Sequence, residues 1–162
     1  MNMEQAYCDT RETDVKHILI AVDTSDNARR AVSFVGDFLG CYEGMRVTLL
    51  LVVLEPEATF FRDNGARKTW LAEKQEEARQ VMAQYRDILL EAGFAEDKIG
   101  VRIDTMQAPS VAACILRVQE ELKCSVIVIG RRGISKKEEF IFGSTSNRII
   151  HEAQKCAVLV IE

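Results

Sequence analysis

Residues 125–146 read SVIVIGRRGISKKEEFIFGSTS, and this stretch decides which class of fold the chain adopts. A β-branched apolar run over 126–129 stops at Gly130, a polar loop follows, and Gly143 precedes three hydroxyl residues that open a helical pattern. Buried strands of parallel sheets show such unbroken apolar runs, and Ser and Thr are common where helices begin. The stretch therefore predicts a strand, a glycine-rich loop and the N-terminus of a helix.

A phosphate or another anion would suit this strand-loop-helix unit, because the first turn of a helix has unpaired N–H groups and a partial positive charge. Glycine at 130, 133 and 143 lets the main chain take positive φ or approach a ligand closely, and the hydroxyls of residues 144–146 add donors. Four cations add positive charge to the loop: Arg131, Arg132, Lys136 and Lys137. A second interpretation stays open, in which the glycines only end a strand and form a turn and the hydroxyls only cap the helix.

The rest of the chain alternates between apolar runs and helical patterns. Strands are predicted at 17–23, 46–54, 99–103, 126–129 and 156–161, and helices at 25–39, 67–92, 110–122 and 144–154. This alternating order predicts an α/β fold, a parallel sheet with right-handed crossovers and helices on both faces. Ligands of such sheets bind beyond the carboxyl ends of the strands, where strand order reverses. Asp23 and Gly130 therefore face one crevice if the first and fourth strands are neighbours.

Composition restricts the class of protein and its partners. The length of 162 residues predicts a single domain, with residues 1–14 as a flexible polar tail and 15–162 as the folded unit. Lys and Arg total 21 against 25 Asp and Glu, and the net charge of −4 argues against a nucleic-acid platform. No apolar run approaches the roughly 18 residues of a membrane-spanning helix, and the N-terminus does not read as a signal peptide. These features predict a cytoplasmic protein with no membrane partner.

Several common kinds of site are disfavoured by the residues present. The five cysteines include no CxxC pair and the chain has two histidines, so we expect free thiols and no zinc site. No Gly-Lys dipeptide occurs, which excludes a Walker A loop. No glycine-rich fingerprint follows the first strand, which disfavours a dinucleotide site.

The spacing of the loop glycines resembles that of a known family. Gly130-Arg-Arg-Gly133, nine further residues and then Gly143-Ser144 match the Gly-x-x-Gly-(nine)-Gly-Ser/Thr pattern of the universal stress protein family. The opening run ILIAVD at 18–23 and the closing run AVLVI at 157–161 are also similar to that family. The resemblance covers about residues 15–162.

The resemblance implies a three-layer, Rossmann-like fold of the adenine nucleotide alpha hydrolase type, with five parallel strands in the order 3-2-1-4-5. It implies membership of the ATP-binding subgroup, with ATP, ADP or AMP as ligand and any Mg²⁺ held mainly by the phosphates. It also implies a homodimer that pairs through 156–161 and a regulatory or sensing role in stress response. The implied nucleotide-binding residues are Ala21, Val22, Asp23, Val52, Gly130, Arg131, Gly133, Gly143, Ser144, Thr145 and Ser146.

Three functions stay open from the sequence. In the first, nucleotide in the crevice alters the loop at 130–143 and thereby the binding of an unknown protein partner. In the second, the protein is a weak ATPase or phosphotransferase, although such chemistry usually requires carboxylates that hold Mg²⁺ and Asp23 is the one acidic residue expected in the crevice. In the third, the chain is a dimeric interaction module that binds no nucleotide, because Arg131 fills the pocket.

Some individual roles stay open as well. Asp23 either accepts a hydrogen bond from ribose or adenine or caps its own turn. Arg131 either pairs with phosphate or crowds the ribose. Phe60 and Phe61 either pack on the edge of the core, which we favour, or cover a ligand or meet a partner. The two histidines are not expected to be catalytic.

Overall fold

A computed structural model describes residues 16–40, 42–107, 110–131 and 144–162. Within these residues all strands are parallel and form one sheet in the order β3-β2-β1-β4-β5. The strands are β1 (Lys16–Val22), β2 (Met45–Glu55), β3 (Ile99–Gln107), β4 (Val126–Gly130) and β5 (Ala157–Ile161). The α/β class and the strand order 3-2-1-4-5 are thus confirmed.

The helices follow the strands as the alternating pattern predicts. They are α1 (Asp26–Leu39), α2 (Asn64–Glu91), α3 (Val111–Leu122) and α4 (Ser144–Glu152). Helix α2 begins three residues before the predicted start, because the carboxylate of Asp63 accepts a hydrogen bond from the Ala66 N–H at 2.8 Å and caps the helix there. Helix α4 ends at Glu152 rather than at 154.

The hydrophobic core has two layers, one on each face of the sheet. Successive residues of a strand point to opposite faces, so β1 sends Ile18 and Ile20 toward α1 and α2 and sends Leu19 toward α3 and α4. All three side chains are fully buried. Burial on both faces is the reason why the sequence of β1 is apolar without alternation.

The outer strand β3 is held to α3 by a network of ion pairs. Asp104 accepts hydrogen bonds from Arg102 Nε at 2.8 Å and from Arg117 Nη2 at 2.8 Å. Glu121 of α3 accepts from the same two guanidinium groups. Over 101–104 the strand alternates apolar Val101 and Ile103 with charged Arg102 and Asp104, as expected for an edge.

The aromatic segment after β2 packs only in part. The ring of Phe61 lies edge-on to Trp70 of α2 with centroids 5.7 Å apart, whereas Phe60 is 68% exposed. Packing on the edge of the core, the interpretation favoured from the sequence, therefore applies to Phe61.

Residues 1–14, Gly133 and Gly143 lie outside the described residues, so the predicted tail and two of the loop glycines are not described here. Among the helices that are described, none combines the length and the apolar character needed to cross a bilayer.

Candidate functional site

A cleft of about 620 Å³ opens at the carboxyl ends of the strands. Its floor is the end of β1, which lies between β2 and β4, and its walls include the first residues of α3 and α4. This is the place where strand order reverses, because successive strands run outward from β1 toward β3 on one side and toward β5 on the other. The described residues that line the cleft are Ala21, Val22, Asp23, Ser25, Ala28, Leu50, Val52, Leu54, Ser110, Val111, Ile115, Ile129, Gly130, Ser144, Thr145, Ser146 and Arg148.

Asp23 lies at the junction between β1 and α1. One carboxylate oxygen accepts a hydrogen bond from the Ser25 N–H at 2.9 Å, and the Asp23 carbonyl accepts one from the Tyr85 hydroxyl at 2.7 Å. Burial and the nearby Asp23 charge raise the pKa of Tyr85, which keeps this hydroxyl protonated as a donor. The carboxylate thus forms the turn contact that the sequence left open, and the residue also faces the cleft.

The start of α1 is capped by its own chain. The Ser25 hydroxyl accepts a hydrogen bond from the Ala28 N–H at 3.2 Å, as an N-cap residue does. Asp26 places a second carboxylate in the first turn, beside Asp23. This helix start therefore carries negative side-chain charge, and some of its amides are already occupied.

Gly130 is required by a close contact between β4 and α1. A Cβ at this position would lie 2.5 Å from the carbonyl carbon of Asn27 and 2.7 Å from the nitrogen of Ala28. The backbone of Gly130 does not have positive φ, which among the described glycines occurs at Gly44 and Gly93. The sequence left open whether this glycine ends the strand, takes positive φ or lets a ligand approach. The observed φ rules out the second, and a Cβ here would meet the backbone of the neighbouring helix.

Arg131 leaves β4 toward the end of the chain. Its N–H donates to the Ile161 carbonyl at 2.6 Å, and its own carbonyl accepts a hydrogen bond from the Asn27 side chain. Its guanidinium pairs with the carboxylate of Glu162. Among the described residues Arg131 is not one of those that line the cleft. The side chain therefore does not fill the pocket, which was the basis of the third hypothesis.

The start of α4 contrasts with that of α1. Its first three residues, Ser144, Thr145 and Ser146, all line the cleft, and none of residues 144–147 is acidic. Ser146 is buried, while Ser144 is exposed. Arg148, one turn further along, also lines the cleft. Hydroxyl donors, helix-terminal amides and a cation are thus collected at this end of the site, where an anion is favoured.

The structure brings most of the predicted site residues together. Eight of them line the one cleft: Ala21, Val22, Asp23, Val52, Gly130, Ser144, Thr145 and Ser146. Sequence reasoning missed Ser25, Ser110, Leu54 and Arg148 as lining residues. A signal existed for the two serines, because each was expected to start a helix and the helices that follow parallel strands begin at the carboxyl edge of the sheet.

Neither histidine lines the cleft in the described part of the chain. His17 is at the opposite end of β1, with Nε2 2.8 Å from the hydroxyl oxygen of Thr48 and Nδ1 3.2 Å from the Leu122 carbonyl. Burial lowers its pKa. His151 is exposed and contacts the carbonyl of Asn147 within α4.

The cysteines and acidic residues form no metal centre in the described part of the chain, where no cluster of three or more His, Cys, Asp or Glu side chains occurs. Cys114, Cys124 and Cys156 are free thiols. Burial raises the pKa of Cys124 to about 11, so this thiol stays protonated and unreactive at neutral pH.

Known structures share this architecture. The hypothetical protein MJ0577 is 24% identical, with a TM-score of 0.72 over 91% of this chain and 95% of that one. A universal stress protein in complex with cAMP is 17% identical, with a TM-score of 0.67 over 91% and 97% of the two chains. The universal stress protein from Archaeoglobus fulgidus in complex with dAMP is 22% identical, with a TM-score of 0.62 over 91% and 98%. At these identities the likeness establishes the fold.

Sequence comparison identifies the family itself. A search of curated proteins gives no significant match. The sequence model of the universal stress protein family, in contrast, matches residues 14–162, which is nearly the whole chain. This match agrees with the glycine spacing, with the strand order and with the structural neighbours. The chain belongs to the universal stress protein family.

Proposed function

We propose that this protein binds an adenine nucleotide in the cleft and acts as a nucleotide-dependent regulator or sensor in stress response. The observation that carries the proposal is the polarity of the cleft, which has apolar walls, a carboxylate at one helix start and hydroxyls without acid at the other. Its volume of about 620 Å³ is within the range of small-molecule sites. Related structures in complex with cAMP and dAMP support adenine as the base.

The chemistry of the walls suggests how a nucleotide lies. Val52 and Ala21 offer apolar contact to a base, and Asp23 places a carboxylate, a group that accepts hydrogen bonds, at the same end of the cleft. The phosphates would then reach the start of α4 at 144–146. Arg131 pairs with Glu162 and is not among the described residues that line the cleft.

A regulatory role agrees better with these residues than catalysis does. Among the described residues that line the cleft, Asp23 is the one carboxylate, and it bonds the Ser25 N–H at the α1 end. Phosphoryl transfer needs a group that positions the nucleophile near the phosphates and usually carboxylates that hold Mg²⁺. Any Mg²⁺ that accompanies ATP would be held mainly by the phosphates.

The regulatory output would pass through β5. This strand pairs only with β4 in the sheet of the described residues, and Leu159 on it is 38% exposed. Arg131, directly after Gly130 of the cleft, bonds the Ile161 carbonyl. We expect two copies to pair through 156–161, since an exposed edge strand tends to find a partner. The hydrogen bond between Arg131 and Ile161 would then connect the cleft to the dimer interface.

The experiment is to find the ligand and then to block its site. Purified protein is denatured by heat, the supernatant is analysed by mass spectrometry for adenine nucleotides, and ligand-free protein is titrated with ATP, AMP and adenosine in a calorimeter. We expect Val52→Trp to abolish the binding of all three, because the indole would occupy the base end. Val101→Trp, at an exposed position on β3, is the matched control and should bind normally. Protein that carries no nucleotide and gives no heat with ATP would contradict the proposal. So would wild-type affinity in Val52→Trp.

A further inference from the structure

Arg148 is the one cationic side chain among the described residues that line the cleft. The sequence directed attention to Arg131, but that guanidinium pairs with Glu162 at the end of the chain. A phosphorylated ligand brings negative charge into a site whose other charged lining residue in the described ranges is Asp23. Within the described part of the site, Arg148 is therefore the side chain that can offset that charge. The other loop cations lie outside the described residues: Arg132, Lys136 and Lys137.

Helix geometry brings Arg148 to the face that carries Ser144. Residues four apart are neighbours on a helix surface, and both of these side chains line the cleft. The guanidinium has five N–H donors, and Nε donates to the carboxylate of Glu152 at 2.8 Å. The remaining donors suit a phosphate, which a guanidinium binds with two parallel hydrogen bonds.

The pair with Glu152 is weak for three reasons. Its side chains are 42% and 48% exposed, so solvent screens the attraction. The cation precedes the anion by four residues, which is the less favourable order on a helix. Glu152 is also the last residue of α4, where the negative end of the helix dipole disfavours a carboxylate. Arg148 can therefore leave Glu152 at little cost.

We propose that Arg148 is the residue by which this cleft distinguishes a nucleotide from its nucleoside, and that Glu152 competes with phosphate for its guanidinium. The inference rests on the proposed function, because it assigns a role inside the same cleft. Phosphate draws Arg148 away from a weak intrahelical pair, and adenosine, which has no charge to offer, leaves the pair in place. The preference for AMP over adenosine is thus set by the balance between two anions at one guanidinium.

The test is a set of calorimetric titrations with AMP and with adenosine on the full chain. Arg148→Gln should weaken AMP binding about tenfold or more, because a charge-assisted hydrogen bond is lost, and leave adenosine unchanged. Arg148→Lys should recover part of the lost AMP affinity, since lysine keeps the positive charge but cannot form two parallel hydrogen bonds to phosphate. Glu152→Gln should tighten AMP binding about twofold, and this gain should disappear in the double variant Arg148→Gln/Glu152→Gln.

Helix α2 supplies matched controls. Arg79 Nε donates to Glu76 at 3.0 Å on an exposed helical face, and neither residue lines the cleft. Arg79→Gln and Glu76→Gln change the net charge by the same amounts as the two test variants. Both should leave the affinities for AMP and adenosine as they are in the wild type.

Each contrary outcome has a distinct meaning. Equal losses of AMP and adenosine in Arg148→Gln, or no loss of AMP, would overturn the role of Arg148. Weaker AMP binding in Glu152→Gln would overturn the competition. A wild-type protein that binds neither ligand would remove the proposed function together with this inference, whereas one that binds both equally would remove the inference alone.

Discussion

Helices α1 and α4 both begin at the cleft, on opposite faces of the sheet, and their first turns are chemically different. The α1 start is closed by its own side chains, with Asp23 bonded to the Ser25 N–H and Ser25 bonded to the Ala28 N–H. The α4 start presents three hydroxyl residues and no acid over 144–147. The two ends of the site therefore differ in charge, although both are helix N-termini.

This difference shows that a helix N-terminus is not by itself an anion site. The dipole is the same in sign at every helix start, but carboxylates and capping side chains in the first turn offset it and occupy its amides. In this cleft carboxylates offset the dipole at α1, whereas residues 144–147 at the start of α4 include no acid. The orientation proposed above for a nucleotide, with its phosphates toward α4, rests on that contrast.

The largest expected effect is a loss of stability when the contact between β4 and α1 is crowded. Gly130→Ala would place a methyl group 2.5 Å from the backbone of Asn27, so either α1 or β4 has to move. We expect the free energy of unfolding to fall by about 2 kcal/mol, as overpacked sites do, which urea denaturation would measure. Unchanged stability would show that the start of α1 is not packed tightly against β4. The assumption that the two helix starts are fixed at the cleft would then be wrong.

A charge at the α4 start should change ligand binding rather than stability. Ser144→Asp places a carboxylate where an anion favours the helix, so stability should hold or rise slightly. The same carboxylate repels phosphate, and we expect AMP affinity to fall about tenfold while adenosine affinity is unchanged, as seen by calorimetry. Asn64→Asp adds the same charge to the first residue of α2, outside the cleft, and should alter neither affinity. An equal loss for both ligands would contradict a phosphate site at α4.

The equivalent change at α1 should have the opposite pattern. Ser25→Ala removes the N-cap acceptor and should lower the free energy of unfolding by about 1 kcal/mol, whereas Ser25→Asp keeps the cap and should nearly restore it. The ratio of AMP to adenosine affinity should change less than about twofold in Ser25→Asp, because the phosphates lie at the other helix. If Ser25→Asp reduced that ratio as much as Ser144→Asp does, the assignment of the two ends would be wrong.

The smallest expected effect is a loss of stability with no change in ligand binding. Asp104 lies in the ion-pair network of β3, away from the cleft, so Asp104→Asn should lower the free energy of unfolding by less than about 1 kcal/mol and leave AMP affinity unchanged.

The pH dependence of that stability difference follows from the same carboxylate. The hydrogen bond from Arg102 lowers the pKa of Asp104. The contribution of the ionised Asp104 carboxylate to the free energy of unfolding is fully present above the unfolded pKa of about 3.9. It is lost as pH falls through the lower pKa of the folded state. The difference between wild type and Asp104→Asn should therefore be constant from about pH 7 to 5 and shrink in stronger acid. Urea denaturation at each pH would measure it, and a difference that already shrank above pH 5 would contradict this assignment.

Sequence reasoning predicted the fold well because its strongest signals are local. Unbroken apolar runs marked β1, β2, β4 and β5, and the helical patterns between them fixed the alternation. The strand order came from the family resemblance and not from the runs themselves. Boundaries were less accurate where a side chain or a neighbouring strand decides them. α2, for example, begins at Asn64 because the Asp63 carboxylate caps it, and β2 extends to Glu55 because Glu55 pairs with Gln107 of β3.

The site was predicted less completely because several of its features depend on contacts between distant segments. Gly130 was expected to end a strand, to take positive φ or to let a ligand approach, and the sequence did not indicate that a Cβ there would meet the backbone of Asn27 and Ala28, about a hundred residues away. The family resemblance implied that Arg131 lines the nucleotide site, whereas its guanidinium pairs with Glu162. Arg148 carries no motif at all, and only the arrangement of α4 beside the sheet brings it to the cleft.

The central claim is that phosphate lies at α4 and the nucleoside lies nearer α1. The most direct measurement is an NMR titration that follows the backbone amide signals of Ser144–Ser146 and of Asn27–Arg29 with AMP and with adenosine. AMP is expected to shift both sets of signals, whereas adenosine is expected to shift only those at the α1 start. Phosphate-dependent shifts confined to the α1 start, or binding of AMP without any shift at residues 144–146, would contradict it.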